Sequence, residues 1–91
     1  MNMAATRQDI EGWFDRGVAQ KATHLIVVCD TYDHDDYPCF ANGDADVIEK
    51  HGYYDGKNMQ RVMEVYDLRD SKAEQMGERR AMRLPKTHNA I

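Results

Sequence analysis

The stretch THLIVVCDTYDHDDYPCF, residues 23–40, joins the most apolar run of the chain to its densest group of acids. Its apolar part, LIVVC at 25–29, is rich in β-branched side chains and too short for a buried helix, so it predicts a strand covered on both faces. A turn centred on His34 should follow, because aspartates hydrogen-bond nearby backbone and favour turns. The chain then returns as a short strand over 37–40, in which Pro38 indicates a sheet edge.

The segments before and after this hairpin predict a helix and a further helix-strand pair. Thr6 and Asp9 form a capping box for a helix over 6–20. Its apolar positions follow helical spacing and are Ile10, Trp13, Phe14 and Val18. A second helix begins near Asp44, after the Asn42-Gly43 turn, and stops at Gly52.

Residues 59–67 fit either a strand or a helix. Met59, Val62, Met63 and Tyr66 have helical spacing, whereas Val62, Val65 and Tyr66 favour strands. We predict a strand, because a sheet of only two strands would be marginal. Ser71 and Glu74 then begin a last helix over 71–83. The order α-β-β-α-β-α predicts an α+β domain with helices packed on a small three-stranded sheet.

Composition indicates one globular domain spanning 1–91, with 1–5 and 85–91 as mobile tails. Of the 91 residues, 42% are hydrophobic and 31% charged, which is ordinary for a folded protein. No apolar run suits a membrane span or a secretion signal, so we expect a cytoplasmic protein that does not bind membranes. Cys29 and Cys39 would stay reduced there, and a turn centred on His34 would allow them to lie close across the hairpin.

Charge is distributed unevenly along the chain, although the net value is only −4. Residues 28–56 carry eight acids and one base, a net of −7, whereas residues 57–91 carry eight bases and five acids, a net of +3. The central block should repel nucleic acid and attract a basic surface. We therefore expect a protein partner with a basic surface and no direct nucleic-acid binding.

The acidic turn is the predicted contact surface, since tyrosines are interleaved with its acids. Tyrosine anchors inside an acidic rim suit a partner that presents Arg or Lys. The residues predicted to bind the partner are Asp33, Asp35, Asp36, Tyr37 and Tyr32. The opposing interpretation is that most of these rings simply cover the core. On the first interpretation the chain is a non-enzymatic binding module that needs no cofactor.

Two other functions fit the same residues. A small metal-dependent enzyme or ligand-binding protein could use Asp30, Asp33, His34 and Asp36, whose carboxylate oxygens suit Mg²⁺ or Ca²⁺. The calcium-loop pattern is absent, however, because the loop lacks its glycine at the sixth position and its glutamate at the twelfth. A structural homo-oligomer, such as a homodimer, could join the basic C-terminal segment of one copy, with Arg79, Arg80 and Arg83, to the acidic block of another.

The segments WFDRGVAQKATHLIVVCDTYDHDDYP (13–38) and YDGKNMQRVMEVYDL (54–68) together resemble a family of small uncharacterised proteins encoded by bacteria and their phages. The resemblance covers most of the chain and carries no catalytic motif. It implies a short accessory gene acting in a bacterial cytoplasm. Small acidic phage proteins often block a host protein, which here implies an inhibitor occupying a basic, nucleic-acid-binding surface.

Overall fold

The fold has the predicted α+β class and element order. The computed structural model describes residues 4–85, so most of the tails predicted at 1–5 and 85–91 lies outside the described residues. The elements are α1 (Arg7–Ala19), β1 (His24–Asp30), β2 (Asp35–Ala41), α2 (Asp44–Tyr54), β3 (Gln60–Asp67) and α3 (Lys72–Met76). The strand predicted over 59–67 is confirmed as β3.

β1 is the central strand of an antiparallel sheet of order β2-β1-β3. Its side chains alternate between two cores, as strand geometry requires. Leu25 and Val27 pack with α1, whereas Ile26 and Val28 pack with Val47 of α2. All four of these β1 side chains are at most 2% exposed, so the prediction of a strand covered on both faces is confirmed.

The hairpin between β1 and β2 turns through residues 31–34. His34 closes it in the left-handed region, with φ 62°, and donates its N–H to the Asp30 carbonyl at 2.6 Å. The register pairs Cys29 with Asp36 and Cys39 with Ile26. Because Cys29 and Cys39 therefore lie on opposite faces of the sheet, the expectation that they approach each other is wrong.

Both edges of the sheet carry features that limit further strand pairing. In β2, Pro38 has no N–H to offer, and the Lys50 ammonium donates to the Phe40 carbonyl at 2.9 Å. Along β3, the Val65 N–H donates to the Ala81 carbonyl at 3.0 Å, and the Arg83 N–H donates to the Val65 carbonyl at 2.9 Å. The lysine side chain and the proline on β2, and the backbone that covers β3, thus limit further strand pairing at the two edges.

The covering of β3 corrects the prediction for the last helix. α3 spans only Lys72–Met76, with Gly77 as its C-cap, rather than 71–83. Residues beyond it extend instead, and Met82 bridges Val65 as a parallel partner. The exposed backbone of β3 competes for this segment, because an edge strand offers hydrogen bonds that a helix of mixed polar residues does not outweigh. α2 differs less, since it runs to Tyr54 instead of stopping at Gly52.

α1 begins with the predicted capping box. The Asp9 N–H donates to Thr6 Oγ1 and the Thr6 N–H donates to Asp9 Oδ2, both at 3.1 Å. The buried residues are Ile10, Phe14 and Gly17. Val18, predicted to face the core, is 49% exposed. The helix rotates this way because Gly17 lets it approach the sheet closely.

Gly17→Ala and Gly12→Ala should change stability in opposite directions. A Cβ on Gly17 would lie 2.5 Å from Leu68 Cδ1 and 2.8 Å from Phe40 Cε1, whereas among residues 4–85 a Cβ on Gly12 meets nothing within 4 Å. We expect overpacking to lower the free energy of unfolding of Gly17→Ala by about 1–3 kcal/mol. Gly12→Ala should raise it by up to about 1 kcal/mol through helix propensity. Urea unfolding measures the stability of both variants. An equal gain in the free energy of unfolding in the two would contradict the close packing at Gly17.

Candidate functional site

Two loops meet at one end of the sheet, which we call the turn end and define as residues 30–37 and 53–60. The Thr31 N–H donates to the Met59 carbonyl at 2.8 Å, joining the hairpin turn to the loop between α2 and β3. Gln60 Nε2 donates to the Tyr37 hydroxyl at 2.6 Å. The two loops are therefore held together as one surface.

The turn end carries most of the exposed large hydrophobic side chains of residues 4–85. Tyr32 is 72% exposed, and Tyr53 and Met59 are each 57% exposed. The Tyr53 ring packs edge-on against Tyr54, with ring centroids 5.0 Å apart. Tyr32 was predicted from the sequence. Tyr53 and Met59 were missed, because the end of α2 and the following loop meet the hairpin only through contacts between residues distant in sequence.

The acidic residues of the turn have different roles. Asp30 is structural: its Oδ1 accepts the N–H groups of Tyr32 at 2.8 Å and Asp33 at 3.3 Å. The half-buried Asp36 accepts the Ala5 N–H at 2.9 Å. Asp33 is exposed at the tip of the turn. Of the predicted contact residues, Tyr32 and Asp33 are thus the most accessible.

Strand alternation divides the remaining predicted contacts between two faces. Asp35 and Tyr37 lie on the α2 face of β2, whereas Asp36 lies on the α1 face. Tyr37 is half-buried, and this burial raises the pKa of its phenol. The five predicted residues therefore do not form one flat patch. They surround the turn, with Tyr32 and Asp33 at its tip.

The predicted metal set is not assembled. Within residues 4–85 no three His, Cys, Asp or Glu side chains are grouped so that they could hold a metal ion. Asp30 uses its carboxylate on backbone N–H groups, and Asp36 lies on the opposite face of the hairpin from Asp30. The proposed set of Asp30, Asp33, His34 and Asp36 fails because Asp30 and Asp36 lie on opposite faces of the hairpin and Asp33 and His34 lie in the turn between its strands.

The ion pairs that Arg and Lys form within residues 4–85 lie away from the hairpin turn. None of them involves Asp30, Asp33 or Asp36, and they join Arg69 to Asp44 and Asp67, Lys72 to Asp15, Lys50 to Asp46, Arg83 to Glu78, and Arg7 to Glu64. His51 Nε2 also lies 4.0 Å from Asp55 Oδ2, within the turn end. Arg80, one of the three arginines of the homo-oligomer hypothesis, donates to the Met63 carbonyl at 2.7 Å.

The Tyr54 phenol and the Cys29 thiol, which lie at or beside the turn end, both have a raised pKa and so add no negative charge to it. A hydrogen bond with Cys39 raises the pKa of Tyr54 to about 12. Burial and the neighbouring Asp36 carboxylate raise the pKa of the Cys29 thiol. The thiolate needed for nucleophilic chemistry at Cys29 is therefore disfavoured.

A second polar cluster, missed from the sequence, lies at the opposite end of the sheet. Thr23 Oγ1 lies 2.9 Å from His24 Nδ1, and His24 Nε2 lies 3.7 Å from Asp67 Oδ2. The order hydroxyl-imidazole-carboxylate suggests a catalytic triad. The Thr23 hydroxyl, however, accepts the Gly43 N–H at 2.7 Å and donates to the Ala41 carbonyl at 3.2 Å, and His24 is fully buried. This cluster is structural.

Comparison with known proteins gives no family assignment: no protein-family model, curated protein or solved structure matches the chain. Among residues 4–85, no helix has the length and apolar character needed to cross a bilayer.

Proposed function

We propose that this chain is a small acidic, non-enzymatic protein-binding module whose turn end engages a basic surface of a partner protein. One observation carries the proposal: the exposed side chains of Tyr32, Tyr53 and Met59 share the turn end with Asp33, which has no ion-pair partner within residues 4–85.

Aromatic and methionine side chains are enriched in the cores of interfaces, and carboxylates around them select a partner of opposite charge. Exposing two tyrosines and a methionine together leaves apolar area that a partner can bury. The turn end supplies both kinds of group on a small surface. A partner with Arg or Lys around a shallow apolar patch would complement it.

Internal hydrogen bonds support binding with little loss of loop entropy. Asp30 caps the turn through the N–H groups of Tyr32 and Asp33, and the Thr31 to Met59 hydrogen bond fixes the second loop against it. A surface that is ordered before association avoids part of the entropic cost of binding.

The proposed setting is a bacterial cytoplasm, where the module would act as a phage-type inhibitor of a host protein. This setting follows the expectation drawn from the sequence pattern of residues 13–38 and 54–68. The net charge of −7 over residues 28–56 supports a target surface that otherwise holds nucleic acid, since both ligands are polyanions.

Charge reversal at the tip of the turn tests the proposal. Immobilised wild-type protein should retain a basic protein from bacterial lysate, and Asp33→Lys should weaken that retention by roughly tenfold or more, because the contact is central. Glu49→Lys is the matched control. Glu49 is exposed in the middle of α2, so this variant makes the same charge change outside the turn end.

Wild type and Glu49→Lys should both retain the basic protein, and Asp33→Lys should not. If excess duplex DNA also abolishes retention by wild type, the results support both the contact and the nature of the target surface. Equal retention by Asp33→Lys and Glu49→Lys would exclude the turn end as the contact. Loss with Asp33→Lys but no competition by DNA would keep the contact and remove the nucleic-acid-binding target.

A further inference from the structure

We infer that the turn end selects arginine over lysine, so that its partner presents an arginine-rich segment. This inference rests on the proposed function and specifies the chemistry that the same surface recognises. Carboxylates attract either cation, so Asp33 alone does not discriminate. The exposed tyrosine rings at the turn end do, because the guanidinium and ammonium groups differ in how they meet an aromatic face.

The difference is one of shape and hydration. A guanidinium is planar and weakly hydrated, and it stacks on aromatic rings. An ammonium is compact and strongly hydrated, so pressing it against a ring removes more bound water. Tyr32 and Tyr53, 72% and 57% exposed, leave ring surface available for stacking at the end of the sheet that also carries the exposed Asp33.

The ring of Tyr53 is also held in place, since it forms a T-shaped pair with Tyr54, with ring centroids 5.0 Å apart. A fixed ring loses less side-chain entropy when a cation stacks on it. The fold itself already uses this contact once: the guanidinium carbon of Arg16 lies 5.6 Å from the centroid of the Phe40 ring. The proposed contact repeats that pairing between two molecules.

Capped octa-arginine and octa-lysine peptides, each with a fluorophore, provide the test. They have equal charge, so simple attraction to carboxylates gives them similar affinities. At about 150 mM salt, where long-range attraction is screened, we expect octa-arginine to bind wild type roughly two- to fivefold more tightly, because a whole cation–π contact at an exposed ring is worth about that factor. Fluorescence anisotropy measures both affinities.

Paired variants separate the rings from the carboxylates. Tyr32→Leu combined with Tyr53→Leu should bring the two affinities together, whereas Tyr32→Phe with Tyr53→Phe should keep the preference, because the rings remain. Both positions are mainly exposed, so the fold should tolerate either pair, and circular dichroism confirms folding.

The two proposals can fail separately. Equal affinity of wild type for the two peptides, with both weakened by Asp33→Lys, overturns the arginine preference and leaves the proposed function standing. A preference that survives the double Leu variant also overturns it, because the rings are then not its source. Absence of binding by either peptide overturns both proposals.

Discussion

Gln75→Ala should lower the free energy of unfolding by about 2–4 kcal/mol, a large effect for a side chain on a helix of five residues. Gln75 is fully buried. Its Oε1 accepts the Asp67 N–H at 2.8 Å, and its Nε2 donates to the Asp67 carbonyl at 2.8 Å and to the Ser71 carbonyl at 3.1 Å. The amide thus takes the place of a neighbouring strand at the end of β3, and its loss leaves buried backbone groups unpaired.

Two further variants separate hydrogen bonding from packing. Gln75→Leu keeps the volume but not the polar atoms, so it should be about as destabilising as Gln75→Ala. Glu74→Ala removes an exposed side chain from the same helix and should change stability by less than about 0.5 kcal/mol. Urea unfolding measures all three. Recovery of wild-type stability in Gln75→Leu would show that a cavity, not the amide, was responsible.

Acidification from about pH 7.5 to about pH 5.5 should destabilise the protein through His24. The side chain is fully buried, and within residues 4–85 Nε2 has no hydrogen-bond partner. Burial lowers the pKa of His24, and Asp67 only partly opposes this. The unfolded chain therefore takes up a proton at a higher pH than the folded chain, so stability falls as pH drops through about 6.5, the ordinary pKa of histidine.

The charged groups around His24 set the direction of its pKa shift, and one of them, Asp67, adds a second pH dependence of stability at lower pH. Asp67, Asp44 and Asp70 favour the protonated ring, whereas burial and Arg69 oppose it. The hydrogen bonds from Arg69 outweigh burial and lower the pKa of Asp67. That carboxylate contributes stability which is complete above about pH 4 and is lost as the pH falls further through its own lowered pKa.

Asparagine substitutions separate the contribution of His24 to the pH dependence of stability from that of other groups. His24→Asn removes the titrating ring and should flatten the dependence of unfolding free energy on pH between about 7.5 and about 5.5. His34→Asn is the matched control, because His34 is exposed and asparagine tolerates its φ of 62°. An unchanged pH slope in His24→Asn, or a flattened one in His34→Asn, would contradict the assignment to His24.

Local sequence patterns predicted most of the elements. The Thr6–Asp9 capping box, the apolar run at 25–29 and the β-branched residues of 59–67 each stabilise their element mainly through neighbours in sequence. Such signals need no knowledge of the rest of the fold. They therefore gave the element order and the central position of β1.

The errors arose where contacts distant in sequence decide the outcome. Val18 has the spacing of a core residue, but Gly17 packs on Leu68 and turns the helix away from that arrangement. The last helix is short because residues 81–83 pair with β3. The acidic turn looked like one platform, yet alternation along β2 sends Asp35 and Asp36 to opposite faces, while Tyr53 and Met59 arrive from another part of the chain.

The most direct test of the central claim, that the turn end binds a basic partner, is to map the contact residue by residue. Isotope-labelled protein is titrated with the basic protein that wild type captures, and backbone amide chemical shifts are followed by NMR. We predict that the largest changes fall within residues 30–37 and 53–60 and are lost in Asp33→Lys. Largest changes around Val18, or around His24 and Arg69 at the opposite end of the sheet, would contradict the account.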